Sequence, residues 1–321
     1  MSISRKFCVA PMMDWTDRHD RVFLRQFSKR TLLYTEMVTS AALAHGDAAY
    51  LLQHDYTEQP VALQLGGSDP VQLAMAAKLG ENAGYQEINL NVGCPSARVQ
   101  SGAFGACLMA EPELVAECVQ SMQRATSLPV TVKCRIGIDD KDNAEFLKKF
   151  IATVASSGCD TFIIHARIAI LSGLSPKQNR EVPPLNYARV FDMKECFPEL
   201  EIIINGGIKD MDTVNELGAK VDGVMVGREA YQNPFLLSQI DSVVFGDTEN
   251  RLTRLNYLEN YIPYMESELR KGTPLQHMTR HVLGLFKGEP GGKQFRRYLS
   301  ENAFRKDADI SVVAGAIATL N

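Results

Sequence analysis

Residues 61–91, VALQLGGSDPVQLAMAAKLGENAGYQEINLN, decide the fold. Two short apolar runs, 61–65 and 87–91, flank a longer segment of helical period at 70–83. Ser68-Asp69-Pro70 marks the helix start. Its polar caps precede a proline near the first helical position, where the missing N–H costs no hydrogen bond. A strand, a helix and a second strand in about thirty residues form the pattern of a parallel βαβ unit.

The alternation extends in both directions. Strand-like runs occur at 7–12, 32–37, 61–65, 87–91, 130–135, 161–165, 201–205 and 223–226. Helical patterns such as 17–28, 112–126 and 143–156 lie between them, and Glu111-Pro112 repeats the helix-start signal. Eight units in ~240 residues fit a (β/α)8 barrel, which typically takes ~250. A doubly wound sheet is the alternative, weakened because no G-x-G-x-x-G follows the first strand. Beyond 226 the character changes. Gly246-Asp247-Thr248-Glu249-Asn250 is a polar, turn-prone break. After it, helical patterns at 252–271, 274–287, 291–305 and 310–320 come without strand candidates. The expected fold class is α/β, a (β/α)8 TIM barrel followed by a small all-helical C-terminal domain. The expected division is 1–245 and 246–321.

Composition narrows the class. Of 321 residues, 45% are apolar and 22% charged, the range of a folded soluble protein rather than a disordered one. No stretch approaches the ~18 apolar residues of a membrane span. Arg5 and Lys6 are not followed by an apolar h-region, so a secretory signal is not expected and the cytoplasm is. Seven cysteines without a C-x-x-C pair give poor support to a zinc ribbon or a disulfide framework. Cys8, Cys107, Cys118, Cys134, Cys159 and Cys196 read as small buried hydrophobes. No metal is expected. The net charge is −4, yet Arg270 to Lys306 holds nine Lys/Arg against Glu289 and Glu301. That local excess suits a nucleic acid or another polyanion, or equally a solvated helix face.

In a barrel, chemistry gathers at the C-terminal strand ends. Those ends carry Ala10-Pro11-Met12-Met13, Glu36, Gln64, Asn89 and Asn91, Lys133 and Arg135, His165 and Arg167, Asn205-Gly206-Gly207 and Gly227-Arg228. Eight polar ends on one rim are hard to explain as core packing, because buried polar groups need partners. Strands 7 and 8 form the usual phosphate corner. Gly206-Gly207 and Gly227-Arg228 offer backbone N–H groups and a guanidinium to a phosphate monoester. With Lys133, Gln64 and His165 they suggest a flavin mononucleotide. Gln64 offers an amide donor and acceptor to a pyrimidine edge, and a lysine near flavin N1 would stabilise the anionic reduced ring.

Cys94 is the sharpest residue. It follows the strand in Asn89-Leu90-Asn91-Val92-Gly93-Cys94-Pro95. A free thiol, with a pKa of about 8.5, is mostly protonated at neutral pH and can act as a general acid. The residues leave other readings open: a flavin reductase for a small molecule, an aldolase or isomerase with Lys133 as Schiff-base lysine, or a nucleic-acid-binding protein without catalysis.

These motifs resemble the tRNA-dihydrouridine synthases. The likeness rests on Ala10-Pro11-Met12, Gln64-Leu65-Gly66, the Asn89–Pro95 stretch, Val132-Lys133, Ile164-His165-Ala166-Arg167, Asn205-Gly206-Gly207-Ile208 and Asp222 to Arg228. Asp14 to His19, Tyr34-Thr35-Glu36-Met37 and Phe295 to Asn302 resemble the bacterial A-type subfamily. The resemblance implies an FMN enzyme, reduced by NADPH, that saturates the C5=C6 bond of D-loop uridines 20 and 20a in tRNA. It implies hydride transfer from reduced FMN to C6 and a proton from Cys94 to C5. It places Pro11, Met12, Met13, Gln64, Lys133, His165, Asn205, Gly206, Gly207, Gly227 and Arg228 around FMN. Asn91 would lie beside the target base, with Lys177, Arg180, Lys293 and Arg296 on the tRNA. A monomer without membrane attachment is expected. Ile168 after the His-Ala-Arg triplet, and Cys134 after the strand-5 lysine, depart from residues common in the family. Neither removes a group the reaction requires.

Overall fold

The computed structural model describes residues 3–248 and 252–320. Glu249 and Asn250 of the expected break, and Met1 and Asn321 at the chain ends, lie outside the described residues. Eight strands pair in parallel, in chain order, into a closed barrel: β1 Phe7–Val9, β2 Leu32–Thr39, β3 Val61–Gly66, β4 Glu87–Val92, β5 Val130–Arg135, β6 Thr161–His165, β7 Glu201–Asn205 and β8 Gly223–Val226. β1 is shorter than its apolar run. Ala10 N–H still donates to the Val226 carbonyl, but Pro11 has no N–H to continue the ladder.

Side chains alternate across each strand. Cys8, Ala10, Leu32, Tyr34, Ala62, Ile163, Ile203 and Met225 form one buried cluster. The same parity puts Gln64, Glu87, Asn89, Asn91, Thr131, Lys133, Arg135, His165 and Asn205 on the inward face. The opposite parity is apolar and buried: Leu63, Ile88, Leu90, Val132, Ile164, Ile202 and Ile204. The surrounding helices start where their caps dictate. The Asp69 carboxylate accepts from Val71 and Gln72 N–H at the head of Pro70–Asn82, and Asn143 caps Ala144–Ala155.

The N-terminal end of the barrel closes around charge. Arg5 Nε donates to Glu87 at 2.6 Å and its Nη1 donates to Glu201 at 2.7 Å. Tyr34 and Thr131 hydroxyls donate to the other Glu87 oxygen at 2.6 and 2.7 Å. Both Arg5 and Glu87 are buried, so removing either partner costs about 3–5 kcal/mol.

Two compact units emerge. One comprises 1–13, 32–54 and 60–227, and contains the barrel. The other comprises 14–31, 55–59 and 228–321. The second unit is helical, built on Arg18–Arg25, Arg254–Arg270, Gln276–Val282, Gly292–Asn302 and Ser311–Ala318. Phe23 and Phe27 of its first helix pack on Tyr261 and Tyr257. Arg21 pairs with the buried Glu58, and Arg18 with Glu268. Among the described residues, no helix is long and apolar enough to cross a membrane.

Candidate active site

β4 ends in the motif that stood out in the sequence. Asn91 Oδ1 accepts the N–H groups of Gly93 and Cys94 at 3.1 and 3.0 Å, folding the chain back into a tight turn. The Cys94 carbonyl accepts from Ala106 N–H at 2.9 Å. Gly105, at φ +78°, passes so close that a Cβ would stand 2.6 Å from that carbonyl oxygen. The turn is therefore gripped from both sides. Cys94 itself is half-buried, and its thiol donates to Ser96 Oγ at 3.5 Å.

Three amides line up beside it. Asn91 Nδ2 donates to Gln64 Oε1 at 2.9 Å, and Gln64 Nε2 donates to Asn89 Oδ1 at 2.8 Å. Across the barrel, Lys133 Nζ donates to Asn205 Oδ1 at 3.2 Å, while Asn205 Nδ2 donates to the Met225 carbonyl at 2.7 Å. Lys133 has no ion-pair partner among the described residues. Burial, with Arg135 nearby, brings its pKa down to about 8. Burial also drives His165 well below the ordinary histidine value, helped by Arg135, Lys133, Arg167 and Arg180. His165 is therefore neutral at pH 7, in a rim of cations.

At the β7 exit, Gly206 and Gly207 take φ of +121° and +71°. A Cβ on Gly206 would sit 2.6 Å from the His165 ring, and one on Gly207 2.5 Å from Leu185. Only glycine leaves this space and its backbone groups open. Tyr187 OH donates to the Gly206 carbonyl at 2.6 Å. Gly227 follows β8 with Ala10 and Met12 beside it. Pro11 and Met12 are half-buried after β1, and Met13 is exposed. Arg228 opens the short helix Arg228–Gln232. The barrel unit thus gathers Cys94, Asn91, Gln64, Lys133, Asn205, His165, Gly206, Gly207, Gly227 and Met12 at the C-terminal strand ends.

The remaining candidates are four cations, of which Lys177, Arg180 and Lys293 are exposed and Arg296 is half-buried. Lys177 and Arg180 are exposed in the loop after β6, Arg180 in the turn Gln178–Arg180. Lys293 and Arg296 stand on Gly292–Asn302 in the helical unit, three residues apart and so on neighbouring turns of one face. Two supporting groups gain their roles here: Arg135, already noted at the strand-5 end, and Asn179, which the sequence reading did not single out. Arg135 donates to the carbonyls of Gly93, Ile168 and Asn179, tying the β4, β5 and β6 exits together. Asn179 is wholly buried and pins its loop through Ile170. A lone asparagine in a polar loop carries no signal for this. Cys196 corrects an expectation: it is exposed at the end of Tyr187–Cys196, and Cys107 is half-buried, whereas the other four expected buried thiols are buried.

Comparison with known proteins identifies the assembly. Residues 8–320 match the family model described as dihydrouridine synthase. The chain belongs to the dihydrouridine synthase family. A tRNA-dihydrouridine(20/20a) synthase of Escherichia coli K12 is 58% identical over 315 residues, covering 98% of this chain and 91% of that one. Its counterpart from Shewanella oneidensis is 56% identical over 97% of this chain and 93% of its own. The counterpart from Vibrio cholerae is 55% identical over 100% and 98%. Among solved structures, a 2-naphthoyl-CoA reductase complex aligns with TM-score 0.55 and 8% identity over 73% of this chain and 49% of that one, a likeness of fold alone. As a dihydrouridine synthase the chain is an enzyme.

Proposed function

We propose that this enzyme reduces the C5=C6 bond of D-loop uridines 20 and 20a in tRNA, using FMN and NADPH. The observation that carries the reading is 55–58% identity, over nearly the whole chain, to synthases named for that activity. The barrel mouth supports it with a donor set that fits a flavin. Among the described residues Lys133 donates to the neutral Asn205 and to no carboxylate, and His165 is neutral among cations, so an anionic, electron-rich guest compensates the site. Gly206 and Gly207 open backbone space at the strand-7 corner. Gly206, Gly207, Gly227 and Arg228 would take the phosphate. Gln64, Lys133, His165 and Asn205 would address the ring, with Pro11, Met12 and Met13 lining it. Bound there, FMN with NADPH as its reductant would supply the hydride that uridine C6 takes up.

The chain's own residues do the rest. Cys94 gives its Sγ proton to C5, held in place by the Asn91 turn. Asn91 has a second Nδ2 proton for a uracil carbonyl. The target uridine must leave its stack to reach the mouth. Lys177 and Arg180, with Lys293 and Arg296, hold tRNA phosphates. In this reading 1–245 is the FMN-binding barrel domain and 246–321 the tRNA-binding helical domain. The enzyme works as a cytoplasmic monomer.

The deciding experiment is the visible spectrum of the purified protein under anaerobic titration. Flavin bands should bleach with NADPH and recover on adding unmodified tRNA. Recovery with a small enone but not tRNA would make it a small-molecule reductase instead. Cys94→Ala should keep the flavin bands and lose tRNA turnover by at least ~100-fold, the scale of a general acid. Full turnover in that variant would remove Cys94 from the acid role.

A further inference from the structure

The inward face of the barrel carries an unbroken line of polar side chains between its two ends. At its foot is Glu87, wholly buried and ion-paired to Arg5. A carboxylate in that pair only accepts, so Thr131 must spend its single hydroxyl proton on it, at 2.7 Å. Towards Asn89, Thr131 is then left as an acceptor. Asn89 must turn Nδ2 to it, at 2.9 Å, and Oδ1 away. That oxygen takes Gln64 Nε2 at 2.8 Å, which turns Gln64 Oε1 towards Asn91 Nδ2 at 2.9 Å. Asn91 Oδ1 is thereby directed at the Gly93 and Cys94 N–H groups. Amide orientation is ordinarily ambiguous, because the two ends are nearly alike in shape. Here the acid fixes the line at one end and the two donor-only backbone N–H groups fix it at the other, so each amide between them has one orientation that satisfies both. Asn91 lies four steps along β4 from Glu87, roughly 13 Å of strand.

We infer that Glu87 is a positioning residue for the Cys94 turn, acting through Thr131, Asn89, Gln64 and Asn91. The relay also sets which atoms Gln64 and Asn91 have left for a guest at the barrel mouth. Replacing the carboxylate by an amide removes one of the two sources of direction. A glutamine at 87 can donate to Thr131, which can then donate to Asn89, setting the line against the oxygen that the Gly93 and Cys94 N–H groups require of Asn91. One link must then stand donor against donor, and the hold of Asn91 on the turn weakens. The inference about the turn stands on hydrogen bonding alone. Its effect on turnover rests on Cys94 being the proton donor proposed above.

The test uses the full-length enzyme as isolated, with Thr131→Val, Thr131→Ser, Glu87→Gln and the Thr131→Val/Glu87→Gln double variant. Iodoacetamide labelling of Cys94 is timed by peptide mass spectrometry, with the exposed Cys196 as internal reference. Thr131→Val should raise the Cys94 rate about fivefold relative to Cys196, the scale of one lost hydrogen bond. It should lower kcat with little change in KM for tRNA. Thr131→Ser, which restores the hydroxyl, should match the parent. Glu87→Gln alone should resemble Thr131→Val, and adding it to Thr131→Val should change Cys94 no further, because the line is already cut. Equal rates in Thr131→Val and Thr131→Ser, or additive effects in the double variant, would overturn the inference. So would a parallel rise at the buried Cys8 and Cys134, which reports general opening. If Glu87→Gln does not fold, the valine and serine variants decide alone. Full tRNA turnover by Cys94→Ala would end the acid assignment and leave the labelling result intact.

Discussion

Lys133 is held where its charge is uncomfortable. Burial brings its pKa from the ordinary 10.5 to about 8, and it donates to the neutral Asn205. The folded-state pKa is depressed, so between pH 10.5 and 8 the unfolded chain binds a proton that the folded chain does not. Stability must therefore rise with pH through that window. Below pH 8 both states are protonated and the full penalty stands. Lys133→Met should remove it, stabilising the flavin-free protein by on the order of 1–3 kcal/mol, with solvent at the barrel mouth screening part of the effect. Turnover should collapse in the same variant. Thermal melts at pH 7 and pH 10, with the gain smaller at pH 10, check the sign. A less stable Lys133→Met at pH 7 would show that the lysine is structural.

At the scale of elements, barrel closure depends on one glycine. Gly223 begins β8, and a Cβ there would lie 2.0 Å from the Arg5 carbonyl oxygen. The adjacent Val224 N–H donates to the Lys6 carbonyl at 3.0 Å, so the backbone cannot retreat without opening the β8–β1 seam. Gly223→Ala should cost at least the ~1–3 kcal/mol of an overpacked core, read as a lower midpoint in urea. An unchanged midpoint would mean that the seam is slack. The strands were legible because each carried a run of four to six residues, and six of the eight begin and end within a residue of the run. β1 fell short at Pro11, and β2 runs on to Thr39 past an irregularity between Tyr34 and Met37. The short helices Ser40–His45, Ala48–Leu51 and Ala97–Ser101 were not visible. Segments of four to six residues span too few turns for a helical period to show.

For the molecule as a whole, the acidic net charge conceals the cations that matter. tRNA affinity should fall steeply with salt through counterion release. Replacing Lys177, Arg180, Lys293 or Arg296 by alanine should each reduce the slope of log K against log salt by about 1. Slow NADPH oxidation by oxygen should be spared. Slopes that do not move would take those residues off the tRNA. Deleting 246–321 is a poor substitute for this experiment. It would strip Phe23 and Phe27 of Tyr261 and Tyr257, and Arg18 of Glu268, within the helical unit. Glu268 is held down to about 2 by Arg18 and Lys271 although burial pushes it up, so the pair it forms is intact at any working pH.

The sequence by itself determined the succession of eight strand-like runs and the set of polar residues at their ends. These follow from local periodicity and from turn chemistry, which act over a few residues. Family motifs then named the reaction class. Only the tertiary structure decided what each polar group meets. Glu87 looked like a strand boundary until Arg5 and Thr131, 82 and 44 residues away, were found on it. Asn89 looked like a rim residue until it proved to be a buried link. Nothing in segment 14–31 announces that its aromatic residues pack on the C-terminal helices. Hydrogen-bond direction and packing depend on groups distant in the chain, and no local pattern encodes them.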